Sequence, residues 1–124
     1  MMESKKDMAV AFLKLASSGK VRQAYGKYVH PQFRHHNPYF KGDRESLLAG
    51  MEESGLQFPN KVFKPVRMLE DGDFVAVHGK VRLDAEMAEI ALIHIFRFEE
   101  GLIIEEWEAA QEVPGESVNE NGMF

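Results

Sequence analysis

Ile93-His94-Ile95-Phe96-Arg97-Phe98-Glu99-Glu100-Gly101-Leu102-Ile103-Ile104-Glu105-Glu106-Trp107-Glu108 is the stretch on which the fold turns. Apolar and aromatic residues fill both arms, and a glycine preceded by two acids supplies the left-handed position that a short hairpin loop requires. The segment therefore reads as a β-hairpin with polar groups on an otherwise apolar sheet. A histidine and two glutamates facing a protein interior are expensive unless paired, solvated in a cavity or used, so function is sought here first.

Upstream of the hairpin the pattern is also extended. Lys61 to Glu70 and Phe74 to Leu83 form arms around an Asp71-Gly72 turn, with a polar connection from Asp84 to Ala88. Before Pro59 the period is helical. Ser4 with Asp7 marks a helix start, followed by Met8, Phe12 and Leu15 and a stop near Gly19. Val21, Ala24, Tyr25, Tyr28 and Val29 share one face of a second helix that ends at His30-Pro31. Phe33 to Asp43 reads as irregular, with Asp43 capping a third helix that contains Leu47, Leu48 and Met51 and closes at Ser54-Gly55. Helices followed by antiparallel strands predict an α+β domain in which a curved sheet forms a cone around the N-terminal helices. Leu92 and Phe96 would lie on one face of the third strand, and Ala91, Ile93 and Ile95 on the other. That second face needs a cover, either a second copy in a homodimer through the sheet or the polar tail from Val113 to Phe124.

Composition bounds the function. The 124 residues fit one domain, 1–124, large enough for a single core. There is no cysteine, which removes thiolate nucleophiles and disulfides and agrees with a cytoplasmic setting. No leader-like or membrane-length apolar run is present. A net charge of -5 with singly scattered basic residues argues against nucleic acid as a partner.

His36-Asn37-Pro38, Val77-His78 after Glu70-Asp71-Gly72-Asp73, Ile95-Phe96-Arg97, Gly101 through Trp107, Gln111-Glu112-Val113-Pro114 and Asn121-Gly122-Met123-Phe124 occur in an order that resembles the SnoaL-like polyketide cyclases of the nuclear transport factor 2-like superfamily, in particular the predicted aldol-condensation-catalysing group. The resemblance implies a cone-shaped α+β barrel, an apolar cavity, usually a dimer, and ring closure by an aldol reaction without metal or organic cofactor. Two departures stand out. Many relatives carry Asp where this chain has His94, and His-Trp-Asp where it has Glu106-Trp107-Glu108, so the usual cavity acid is displaced to Glu108. The related steroid isomerases hold an Asp base, a Tyr and a protonated Asp where Asn37, Phe12 and His94 stand here, which argues against that chemistry.

Side chains alternate between sheet faces, so turn length decides which groups meet. A three-residue loop at Glu99-Glu100-Gly101 sets Phe98 opposite Leu102 and His94 opposite Glu106, with Glu108 next on that face; a two-residue loop sets His94 opposite Trp107. The first gathers the polar groups on one face, agrees with the placement of the acid in the family, and is preferred. A loop centred near Glu86 would then bring His78 opposite His94. The expected cavity holds Glu108, His94 and His78 as catalytic groups, with His36, Asn37, Glu106, Phe12, Phe96 and Trp107 contacting the substrate. Burial would raise Glu108 toward the range of a useful base, and a histidine would donate to the enolate oxygen of a small apolar carbonyl compound. Each residue also has a structural explanation: solvated strand carboxylates, satisfied core histidines, and ordinary core or dimer packing for Trp107, Phe12 and Phe96. His36, His78, His94 and Glu108 include metal-ligand types, but no local ligand spacing supports a site, and none is assigned. Two classes of function follow: a cofactor-free lyase or isomerase, or a non-catalytic ligand-binding or dimerisation module that kept the cavity.

Overall fold

The computed structural model describes residues 3–124. Ser4 caps the first helix, α1 (Lys5–Ser17), by accepting from the Asp7 amide at 3.1 Å. The chain turns at Gly19 with φ +95° into α2 (Val21–Tyr28), whose Val21, Ala24, Tyr25 and Tyr28 are buried. A strand, β1 (Val29–His35), follows directly where sequence reasoning expected irregular chain from Phe33. Asp43 then caps α3 (Arg44–Gln57), accepting from the Ser46 amide at 3.0 Å. This helix runs two residues past the expected Ser54-Gly55 stop. Two hairpins complete the fold: β2 (Val62–Asp71) with β3 (Phe74–Arg82), and β4 (Ile90–Glu99) with β5 (Leu102–Glu112).

The sheet order is β1-β5-β4-β3-β2, so the architecture is the expected α+β layer of helices on a curved sheet. One pairing departs from the antiparallel expectation: β1 runs parallel to β5, joining Arg34 to Glu105 and His35 to Glu106. Pro31 and a register shift between Val29 and Arg34 disguise this strand, and proline is tolerated there because β1 lies at the sheet edge. The core fills the space between helices and sheet. Phe12 sits at its centre, edge-on to Tyr25 at 5.5 Å and to Phe96 at 6.0 Å between ring centroids.

The β4–β5 turn takes two residues, Glu100 and Gly101, at φ 54° and 77°. Positive φ at both central positions is the primed turn that matches strand twist. Glu99 therefore pairs with Leu102 and Phe98 with Ile103. Continued unbroken, this register would set His94 against Trp107 and turn Glu106 and Glu108 away from the core. A bulge at Ile104 shifts the pairing by one, so Arg97 meets Glu105, Phe96 meets Glu106 and His94 meets Glu108. The expected three-residue loop and His94–Glu106 pairing are thus corrected. The shared face survives because the short turn and the bulge together restore the parity.

The outer face of the sheet is only partly covered. Phe124 folds back to stack on His78 at 5.7 Å, and Met123 lies with Ala91, Ile93, Ala109 and Ala110. Ile93, Ile95, Leu69 and Phe74 remain exposed, Leu69 by 67%. Among the described residues no helix is long and apolar enough to cross a membrane.

Candidate functional site

Between the concave face of the sheet and α3 lies a cavity of about 220 Å³. Leu47, Gly50, Met51 and Ser54 present one face of α3 to it at i, i+3, i+4 and i+7 spacing, and β4 and β5 contribute His94, Glu106 and Glu108. Leu13, Asn37, Phe40 and Lys61 complete the lining. The Cβ of any residue other than glycine at position 50 would collide with the Phe40 ring, so Gly50 permits the mouth loop to close over the helix.

The polar wall is a linked set. His94 Nε2 lies 3.2 Å from Glu108 Oε2 and 3.6 Å from Glu106 Oε1. Asn37 donates through Nδ2 to Glu108 Oε1 at 2.5 Å. Burial pushes the Glu106 carboxyl up to about 8; the charge of His94 opposes this and that of Glu108 adds to it. Burial would also raise Glu108, but hydrogen bonds from His94 and Asn37 and the His94 charge outweigh it and hold the carboxylate below its ordinary value. Burial disfavours charge on His94 as well, yet the Glu108 hydrogen bond and the two carboxylates raise it. Its Nδ1 is buried without a partner, so a charged ring has one unsatisfied N–H, which limits how strongly it holds the proton. These opposed shifts favour a His94–Glu108 ion pair beside an un-ionised Glu106.

The family assignment rests on the sequence as a whole. The SnoaL-like domain matches residues 9–106, most of the chain. This protein belongs to the SnoaL-like family. No curated protein matches the SnoaL-like chain described here. Solved structures share its fold: IdmH of Streptomyces antibioticus, described as a candidate polyketide cyclase, is 17% identical with a TM-score of 0.72, covering 87% of this chain and 93% of that one. An NTF2-like protein of unknown function from Cytophaga hutchinsonii is 16% identical, TM-score 0.71, covering 90% and 93%. An uncharacterised cystatin-fold protein from Novosphingobium aromaticivorans is 14% identical, TM-score 0.75, covering 87% and 99%.

Within this SnoaL-like fold, His94, Glu106, Glu108 and Asn37 meet at one cavity. His78 does not join them. Its β4 partner is Ile93, while Val77 faces His94, so a register one residue from the expected one turns His78 to the outer face, where Arg67 Nη1 reaches its Nδ1. His36 likewise points outward, stacked on Trp107 at 5.1 Å and bonded through Nε2 to Glu105 Oε2 at 2.8 Å. Trp107 stands opposite Ile95 on that same outer face, so neither contacts the cavity. Phe12 and Phe96 are fully packed core; Phe96 stacks under His94 and supports it without lining the cavity. The expected raised value for Glu108 belongs instead to Glu106.

Of the two adjacent histidines, His35 is the buried one, since β1 alternation directs Val29, Phe33 and His35 to the core. Its Nε2 donates to the Lys41 carbonyl at 2.6 Å and its Nδ1 accepts from the Asn37 amide at 3.1 Å, which fixes the loop carrying Asn37. Sequence reasoning allowed only one of the two neighbours inward and favoured His36 over His35, and it did not single out Lys61. The placement of His35 depends on a strand invisible to periodicity; that of Lys61 follows from the end of α3, where the Lys61 amide bonds the Phe58 carbonyl at 3.1 Å. The ligand atoms of His94, Glu106 and Glu108 lie within 4.8 Å of one another and could hold a divalent cation. Such binding would first have to remove the Glu106 proton, which its surroundings retain to about 8.

Proposed function

We propose that this SnoaL-like protein is a cofactor-free acid–base catalyst that forms an enolate, and thence an aldol bond, on a small carbonyl compound. The supporting observation is that Glu106, Glu108 and His94 Nε2 converge on one cavity wall, where burial raises Glu106 while hydrogen bonds from His94 and Asn37 lower Glu108. Such divergence separates acid from base. Glu108 takes the proton from the carbon beside the carbonyl while Glu106 donates to the oxygen as negative charge develops there. His94, with Nε2 near both, returns the proton from Glu108 to Glu106 and resets the site. The enolate then attacks a second carbonyl held in the same water-poor space. A volume of about 220 Å³ suits a small carbonyl compound, below the roughly 300–1,000 Å³ typical of pockets for drug-sized molecules. We read the exposed outer strip around Ile93, Ile95 and Phe74 as the docking face of a second copy, for which sedimentation equilibrium is the check.

The experiment is deuterium exchange at the α-carbons of cyclopentanone, followed by proton NMR in heavy water. The intact protein should accelerate exchange over buffer, and Glu108→Gln should reduce that acceleration by about 10²-fold or more. Exchange no faster than in buffer, or undiminished in Glu108→Gln, refutes the catalytic reading. The tight pairing of Glu108 with His94 and Asn37 favours a second reading, a ligand-binding module. Saturable cyclopentanone binding without exchange would establish that one.

A further inference from the structure

We propose that Lys61 is a covalent ligand-binding residue of the cavity: its amine condenses with the carbonyl carbon of a small aldehyde or ketone to form an imine. The inference rests on the carbonyl-compound reading above and adds a residue to it.

Lys61 is the one lysine among the described residues that lines the cavity shared by His94, Glu106 and Glu108. Its position is set at both ends. The backbone amide is held by the Phe58 carbonyl at 3.1 Å as α3 ends, and Nζ donates to Ser54 Oγ, on the last turns of α3, at 2.6 Å. No described carboxylate lies within ion-pair distance of Nζ, so the charge has a hydroxyl for a partner and no counter-ion. Burial lowers the proton affinity of this amine. A half-buried lysine beside an apolar wall is moved toward the free amine, the nucleophilic form of this side chain. The contact with Ser54 suits both states, since the hydroxyl accepts from the ammonium and donates to the free amine.

The chemistry closes within this cavity. The Nζ lone pair attacks the carbonyl carbon, the C=O π electrons move to oxygen, and a proton passes from nitrogen to that oxygen to give a carbinolamine. The C–O bond then breaks as the Glu106 carboxyl protonates the departing hydroxyl, releasing water and leaving an iminium. The positive nitrogen acidifies the adjacent C–H far more than a neutral carbonyl does, and Glu108 accepts that proton to form an enamine, the nucleophile of an aldol step.

The test uses pentane-2,4-dione, whose condensation with an amine gives a conjugated enaminone that absorbs in the near ultraviolet and survives digestion. The full-length protein at neutral pH should take up one equivalent, with a mass gain of the diketone less one water. Peptide mapping should place it on Lys61, at a rate at least about tenfold above that of exposed lysines. Lys61→Arg and Lys61→Met should lose the fast phase, while Lys20→Met, at an exposed lysine outside the cavity, should keep it. Labelling spread over exposed lysines, or a fast phase that persists in Lys61→Met, overturns the proposal. Ketone exchange without a Lys61 adduct would leave the acid–base reading standing and remove the imine. An adduct without exchange would leave the imine standing and remove proton transfer by Glu108, including the enamine step.

Discussion

Replacing Glu106 by Gln should stabilise this protein, and increasingly so as pH rises. In the folded chain the Glu106 carboxyl stays protonated to about 8 instead of its ordinary 4.5. A carboxyl raised by folding contributes fully to stability below the unfolded value, and that contribution is lost as pH climbs toward the folded value. Each pH unit inside the window from 4.5 to about 8 costs about 1.4 kcal/mol for one fully displaced proton. At pH 7 this amounts to ~2–3 kcal/mol once the link with His94 is allowed for. Gln keeps the shape and an oxygen facing His94 Nε2 but has no proton to lose. His94 drifts the same way, because a raised histidine contributes below its ordinary 6.5 and loses that contribution as pH rises through its folded value. Glu108, held low, contributes above its ordinary 4.5 and does not cancel the trend at neutral pH. Urea denaturation of wild type and Glu106→Gln at pH 4.5 to 8.5 is the assay. With a slope of about 1–3 kcal/mol per molar urea, the midpoints should coincide near pH 4.5 and separate by ~1–2 M near pH 7.5, the variant being higher. Parallel midpoints across that range, or a less stable variant at pH 7.5, would show that Glu106 is ionised in the folded protein and would remove the assigned acid.

Glu105 is buried against the Arg34, Arg97 and His36 side chains, and although burial opposes its charge, those three donors hold it down at about 2. Being lowered, it contributes stability above 4.5 that is lost as pH falls toward 2, so Glu105→Gln should cost about 2 kcal/mol at pH 7 and flatten the acid limb of the stability curve in urea titrations. Ser4→Ala removes the side chain that accepts from the Asp7 amide and should cost ~1 kcal/mol, read by thermal circular dichroism. Gly50→Ala should leave stability unchanged or slightly higher, since alanine favours a helix by about 1 kcal/mol, while the new methyl displaces the Phe40 ring and weakens cyclopentanone binding in an NMR titration.

How far the site could be read in advance depended on how far each inference reached along the chain. Ser4 and Asp43 announce their helices because a cap and its amide partner are three residues apart. The face shared by His94, Glu106 and Glu108 was reached through a compensation: a two-residue turn and a bulge at Ile104 give the same parity as the three-residue loop that was expected. His78 was misplaced by a one-residue error in a longer connection, and in a sheet a single step exchanges the faces.

The amino-acid sequence alone determined the α+β class, the helix starts, the two hairpins and the presence of buried acids beside a histidine. These follow from periodicity and capping, which act over a few residues. Only the folded chain decided that Ile104 bulges, that β1 joins β5 in parallel and turns His35 inward with His36 outward, and that Lys61 reaches the cavity. Those outcomes depend on contacts between segments far apart in the chain, where packing and hydrogen-bond satisfaction choose among registers that local preference leaves nearly equal.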